Sequence, residues 1–260
     1  MLAPALCWKL QSGNQVGYIF GTFHIKSAET YALTQSVFPY LEQCDMLCLE
    51  VDLDSARTGI QIHQLKTLRS IITPHLAKRW QPRLKSYYSL EIDQFLDLPA
   101  HMFYQAMTSS CFDSAVPTMV DEQLWEKAKS IGLPIRGLES IEKQLAILKL
   151  MEGSELLNMI KPSIRTVKKF RNSVLKMLKI YLHQDIRRLY QMGKRQAGVL
   201  RNTLIYQRNH LMAEGILGEF AAGHEPFVAI GAGHLAGEQG VLRLLKRAGV
   251  KVRPISINTL

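Results

Sequence analysis

The chain has 260 residues, 47% hydrophobic and 21% charged, with a formal net charge of +10. That size and balance suit one large folded domain or two small ones, and exclude a disordered chain or a fold that needs disulfide or metal staples. No run reaches the ~18 apolar residues of a spanning helix, and residues 1–10 lack the basic start and apolar stretch of a secretory signal.

In chain order, residues 16–20 form a β-branched and aromatic run that leads into Gly21. Residues 31–43 carry Leu33, Val37, Tyr40 and Leu41 at helical spacing, and residues 46–51 read as a buried strand. Strand, helix, strand is the signature of an α/β fold. Cys44 and Cys48 lie in apolar surroundings, and the four cysteines form no C-x-x-C pair, so buried free thiols are expected.

From about residue 60 the pattern turns helical. Leu65, Leu68, Ile72, Leu76 and Trp80 fall three or four apart, and Pro74, Pro82 and Pro99 are expected to cut the stretch into short helices. A helix with an acidic start is predicted over 121–130, a short strand over 135–138, and a helix capped by Ser140 through Leu150. Residues 161–201 hold twelve Lys/Arg and one acid, Asp185, while the rest of the chain is nearly neutral. Apolar residues there recur near every 3.6 positions, which predicts one long amphipathic helix, with a break near Gly193. A helix over 203–220, a strand over 227–230, a helix over 237–248 and a strand over 250–257 complete the chain. The expected architecture is a single α/β domain over 1–260, with a mixed central sheet built from both ends of the chain. A mostly helical insertion at about 60–220 fills its middle.

Two stretches match. Tyr18-Ile19-Phe20-Gly21-Thr22-Phe23-His24 and Val228-Ala229-Ile230-Gly231-Ala232-Gly233-His234 each run from an apolar strand into G-x-x-H. Glycine permits a sharp turn and a close approach, and ligands of open α/β sheets gather at the carboxyl ends of strands. Histidines at two neighbouring strand ends can converge. Glu50 interrupts the apolar strand Leu47-Cys48-Leu49, where alternation places Cys48, Glu50 and Asp52 on one face. A buried carboxylate needs a partner. Two imidazoles and a carboxylate make a divalent-metal set suited to Mn, Co, Zn or Fe.

These motifs, with the Gly231–Gly237 run, Asp121, Leu124, Gly137-Leu138-Glu139-Ser140, Gln144 and Arg208-Asn209, resemble the TraB/GumN family over nearly the full length. That family is similar to the Tiki metalloproteases, which are membrane-bound and cleave Wnt; bacterial members are linked to shutting down peptide pheromones. The resemblance implies a metal site at His24, Glu50 and His234, with Arg208 and Asn209 near it and Gly21, Asp52, Asp121, Glu139, Gly231 and Gly233 in support. The implied activity is a divalent-metal-dependent hydrolase acting on peptides, with metal-activated water as nucleophile. Glu50 would serve as ligand or base, and Arg208 or Asn209 would stabilise the oxyanion.

The alternative is a non-catalytic peptide- or ligand-binding protein. The basic segment 161–201 offers a surface for anionic membranes, whereas nucleic acid is disfavoured because Phe170 and Tyr181 lie on the apolar stripe. A dinucleotide site at Gly231-x-Gly233 is disfavoured too, since the following strand ends in Ser256-Ile257-Asn258 without an acid for a ribose. The compartment is not fixed by these features: cytoplasmic if the sequence is complete, exported if a leader was removed.

Overall fold

A computed structural model describes residues 3–54, 64–112, 116 and 118–257. Residue 60, where the helical pattern begins, and Asn258 lie outside the described residues. The chain divides into two compact units: Met1–Thr58, Ser114–Ser140 and Leu178–Leu260 form the first, Gly59–Asp113 and Ile141–Met177 the second.

The first unit holds a mixed six-stranded sheet. Its strands are β1 (Cys7–Ser12), β2 (Gln15–Thr22), β3 (Met46–Leu49), β4 (Ile135–Gly137), β5 (Pro226–Gly231) and β6 (Lys251–Ile255), in the order β4-β3-β5-β2-β1-β6. The run β4-β3-β5-β2 is parallel, and β1 is antiparallel to both β2 and β6. The mixed sheet therefore has the expected character. Strand β1 was not anticipated. Ser12 pairs with Gln15, so Gly13-Asn14 forms a two-residue hairpin turn with Gly13 at φ 58°, and that Gly-Asn pair is the sequence signal for it. The central strands β3 and β5 are buried on both faces, which is why they read as continuous apolar runs rather than alternating ones.

Helices α1 (Ala28–Gln35) and α2 (Phe38–Leu41) lie between β2 and β3. Ser27 caps α1 by accepting the Thr30 N–H, and Pro39 sits in the first turn of α2. The core gathers Trp8, Phe20, Leu47, Phe227 and Tyr181, all essentially without exposure. Each large side chain buried in this way contributes roughly 1.5–3 kcal/mol.

The second unit is helical. It contains α3 (Leu68–Ile71), α4 (Pro74–Tyr88) and α5 (Ala100–Ser109). Helix α6 (Val120–Ser130) belongs to the first unit; α7 (Ile141–Leu150) and α8 (Ser154–Arg165) to the second. Pro74 opens α4 beneath the Thr73 cap, as expected, but Pro82 does not end it. Pro82 stands on the exposed face, and burial of Ala77, Trp80, Leu84 and Tyr88 on the other face carries the helix through the missing hydrogen bond. Tyr88 Oη donates to the Ser163 carbonyl at 2.8 Å, and Arg83 Nη1 donates to Ile164 and Arg165 carbonyls at the end of α8.

The basic segment is not one helix. It runs through α8, α9 (Val167–Leu182) and α10 (Ile186–Ala197). The second break is set by side chains: Gln184, at φ 56°, accepts the Leu6 N–H and donates to the Ile257 carbonyl, and Asp185 caps α10 through the Arg188 N–H. Gly193 lies inside α10, with no strained backbone and open space around it. A six-residue π-helical stretch, Asn202–Gln207, then enters α11 (Arg208–Ala221), and α12 (Val241–Arg247) precedes β6. Among the described residues, no helix is long and apolar enough to cross a membrane.

Candidate functional site

The two G-x-x-H motifs leave adjacent parallel strands, with Thr22 opposite Gly231 in the register of β2 and β5. His24 occupies the middle of a tight turn in which the Ile25 N–H donates to the Phe23 carbonyl. His234 ends the 3₁₀ turn Ala232–His234 that follows β5. The glycines differ in what they do. A Cβ on Gly21 would come 2.8 Å from Leu235 Cδ1, and one on Gly231 would come 3.1 Å from Glu50 Oε1. Gly233 has open space around it, so nothing there demands glycine.

Glu50 lies one residue past β3. Its Oε1 accepts the Gly231 N–H at 2.6 Å, and its Oε2 meets Arg208 Nη2 at 2.5 Å. Arg208 also clasps Glu139, with Nε and Nη2 donating at 2.6–3.0 Å to a carboxylate that is 1% exposed. Glu139 arrives because the β3–β4 pairing continues past both strands: its N–H donates to the Glu50 carbonyl. The planar guanidinium thus bridges two carboxylates, a geometry lysine does not reproduce. The π-helical stretch ends at Gln207, immediately before Arg208, and such irregular turns recur at functional sites.

Each imidazole has an oxygen at its Nδ1. His24 Nδ1 lies 3.0 Å from Asp121 Oδ2, and His234 Nδ1 lies 2.6 Å from Asn209 Oδ1. Asn209, fully buried in α11, donates its Nδ2 to the Gln239 carbonyl at 2.6 Å. Its Oδ1 is therefore the acceptor, His234 carries its proton on Nδ1, and Nε2 keeps the lone pair. Arg208 Nη1 is 3.4 Å from that Nε2.

The charges act on one another. Burial raises the Glu50 carboxyl, but Arg208, His234, His24 and the Gly231 N–H outweigh it and hold it at about 2. Asp121 raises His24 to about 9 against the effect of desolvation, although the His24 side chain is 60% exposed. Burial pushes His234 down to about 4, with Arg208 and His24 adding to it and Glu50 opposing. Burial works against the Arg208 charge, yet Glu50 and Glu139 raise its affinity for the proton further.

Of the residues singled out from sequence, Glu50, Glu139, Arg208, Asn209, Gly231 and His234 are joined in one constellation by short contacts, and the His24–Asp121 pair acts on it through charge. Asp52 instead accepts the Asp54 N–H at 3.1 Å, at the start of a turn. Sequence reasoning missed Tyr181, which read only as part of an apolar stripe. Its buried hydroxyl donates to the Gly21 carbonyl at 2.8 Å and its ring stacks on Phe23 at 5.0 Å. Thr22 was missed as well; its hydroxyl is buried and meets no hydrogen-bond partner among the described residues.

Each imidazole has the donor chemistry for a divalent ion, since an oxygen at Nδ1 is the usual support of a histidine that ligates through Nε2, and at His234 Arg208 Nη1 stands 3.4 Å from that nitrogen. Glu50 is not free for the same purpose while Arg208 and Gly231 engage both its oxygens. Among the described residues, no three His, Cys, Asp or Glu side chains are grouped so as to hold a metal.

No curated protein and no solved structure matches the chain. The family model described as TraB/PrgY/gumN family matches residues 6–254, nearly the whole length and every residue of the constellation. This chain belongs to the TraB/PrgY/gumN family.

Proposed function

We propose that this chain is a divalent-metal-dependent hydrolase of peptides. The observation that carries the reading is the matched pair of imidazoles at adjacent strand ends, each with its Nδ1 beside a side-chain oxygen. His24 and His234 would hold the ion. Such an ion supplies Lewis acidity, lowering the pKa of a water and polarising a scissile carbonyl. Charge supports the reading too. Glu50, Glu139 and Asp121 set three negative charges against Arg208 and a protonated His24, an excess of one that draws in a cation, and a metal on His24 would displace its proton.

The protein's own groups have separate tasks. Asp121 and Asn209 orient the imidazoles. Arg208 keeps Glu50 ionised and placed by Gly231, and its Nη1, turned towards His234, can donate to an oxyanion that develops there. At about 2, Glu50 is a weak base while the clasp holds. Its work as ligand or proton acceptor requires Arg208 to shift towards substrate.

That clasp also favours a second reading, a non-catalytic binder of peptides that uses the same residues. The experiment that separates them is metal titration followed by turnover. Wild type, His24→Ala and His234→Ala are titrated with Mn, Co and Zn, and a peptide library is then screened with and without the bound metal. One ion per wild-type chain, its loss in both variants, and metal-dependent cleavage abolished by Glu50→Gln support the hydrolase. Metal binding without cleavage supports the binder, and no metal binding overturns the metal reading.

A further inference from the structure

The loop that follows the second G-x-x-H does more than close the sheet. Gly237, at φ 100°, lies flat against Tyr190: an added Cβ would fall 2.5 Å from the ring. Tyr190 in α10, Lys194 one turn further along it and Tyr206 in the π-helical stretch stand around one opening. These groups line a cleft of about 620 Å³ in the first unit, which also takes in Lys246 from α12. That volume suits a small ligand or a short stretch of peptide.

The charge of the cleft is one-sided. Arg187, Lys194, Arg243 and Lys246 line it against one acid, Glu238, which is already engaged by Arg243 at 2.7 Å. The cleft is also fastened to the candidate site. Asn209 donates to the carbonyl of its lining residue Gln239 and holds His234 with the other end of the same amide.

We propose that this cleft binds a carboxylate of the peptide substrate, either its free C-terminus or an acidic side chain, on Lys194 and Lys246 above the Tyr190–Gly237 floor. The proposal rests on the peptide reading above for the nature of the ligand, but not on any turnover. Ammonium groups pair with a carboxylate.

The test is equilibrium binding by fluorescence anisotropy with rhodamine-labelled decapeptides of one sequence: a free acid, its C-terminal amide, and the amide with two glutamates. Proteins are wild type, Lys194→Gln with Lys246→Gln, and a control of equal charge loss in the second unit, Lys168→Gln with Lys169→Gln. Expected is binding of an acidic probe about tenfold or more tighter than the neutral amide. It is lost in the Lys194/Lys246 variant and kept in the control. The free acid and the glutamate peptide tell which carboxylate is read. Equal binding of acidic and neutral peptides, equal loss in the control, or no binding at all overturns the proposal. Carboxylate-selective binding without any cleavage leaves it standing while the hydrolase reading falls.

Discussion

Asn209 Oδ1 lies 2.6 Å from His234 Nδ1, and the other end of the same amide donates to the Gln239 carbonyl. One buried side chain therefore fixes the tautomer of a site histidine and ties down the loop behind it. Asn209→Ala is expected to reduce metal affinity about 10- to 100-fold, the usual effect of losing such a supporting partner. It should also lower stability by about 1–3 kcal/mol through the orphaned Gln239 carbonyl. Calorimetric metal titration and urea unfolding measure the two, and unchanged affinity would remove the positioning role.

Arg208 neutralises two carboxylates that are nearly closed to solvent. Arg208→Ala takes the counter-charge from both, and a loss of about 3–5 kcal/mol is expected. Adding Glu139→Gln should restore part of it, because the more deeply buried charge is then gone. The measurement is the urea midpoint of the single and double variants. Additive losses would show that the clasp is not the stabilising unit.

Three groups set the pH dependence of the metal-free protein. His24 is raised from 6.5 to about 9, so its pairing with Asp121 stabilises fully below about 6.5 and is lost as pH rises through about 9. His234 is lowered from 6.5 to about 4, so its neutral burial stabilises above about 6.5 and is lost as pH falls to about 4. Glu50, lowered from 4.5 to about 2, adds a loss at still lower pH. Stability should peak near neutral pH. Because His24 is 60% exposed, solvent screens its pair and the alkaline slope should be shallow. In NMR titrations Asp121→Asn should bring the His24 midpoint back towards 6.5, and a midpoint that stays put would rule out Asp121 as the cause.

Tyr181→Phe removes the donor that satisfies the buried Gly21 carbonyl but keeps the ring stacked on Phe23. The expected loss is about 1–3 kcal/mol. Gly21→Val should be worse, because its first carbon already meets Leu235 and Ala232 at 2.8–3.1 Å. Thermal unfolding of both variants checks the order, and the reverse order would count against close packing at Gly21.

Much of the fold was legible because its signals are local. The apolar runs behind β2, β3 and β5 and the paired G-x-x-H ends declare strands that stop at a turn. The hairpin strand β1 was overlooked, although Gly13-Asn14 marks its turn. The proline at 82 and the length of the basic helix were misjudged for a different reason. Burial of one face overrode a local breaker in α4, while long-range hydrogen bonds from Gln184 ended a periodic run that nothing in its own stretch would end.

The sequence by itself determined that His24 and His234 stand at strand ends, and that Glu50 is an ionisable group in an apolar strand needing a partner. Spacing along a strand and desolvation are enough for that. Only the tertiary structure decided that the partner is Arg208, and that Arg208 is shared with Glu139. It likewise decided that Asn209 serves His234. Residues 50, 139 and 208 are brought together by sheet pairing and by the entry of α11, and contacts between such distant positions leave no periodic trace in the chain.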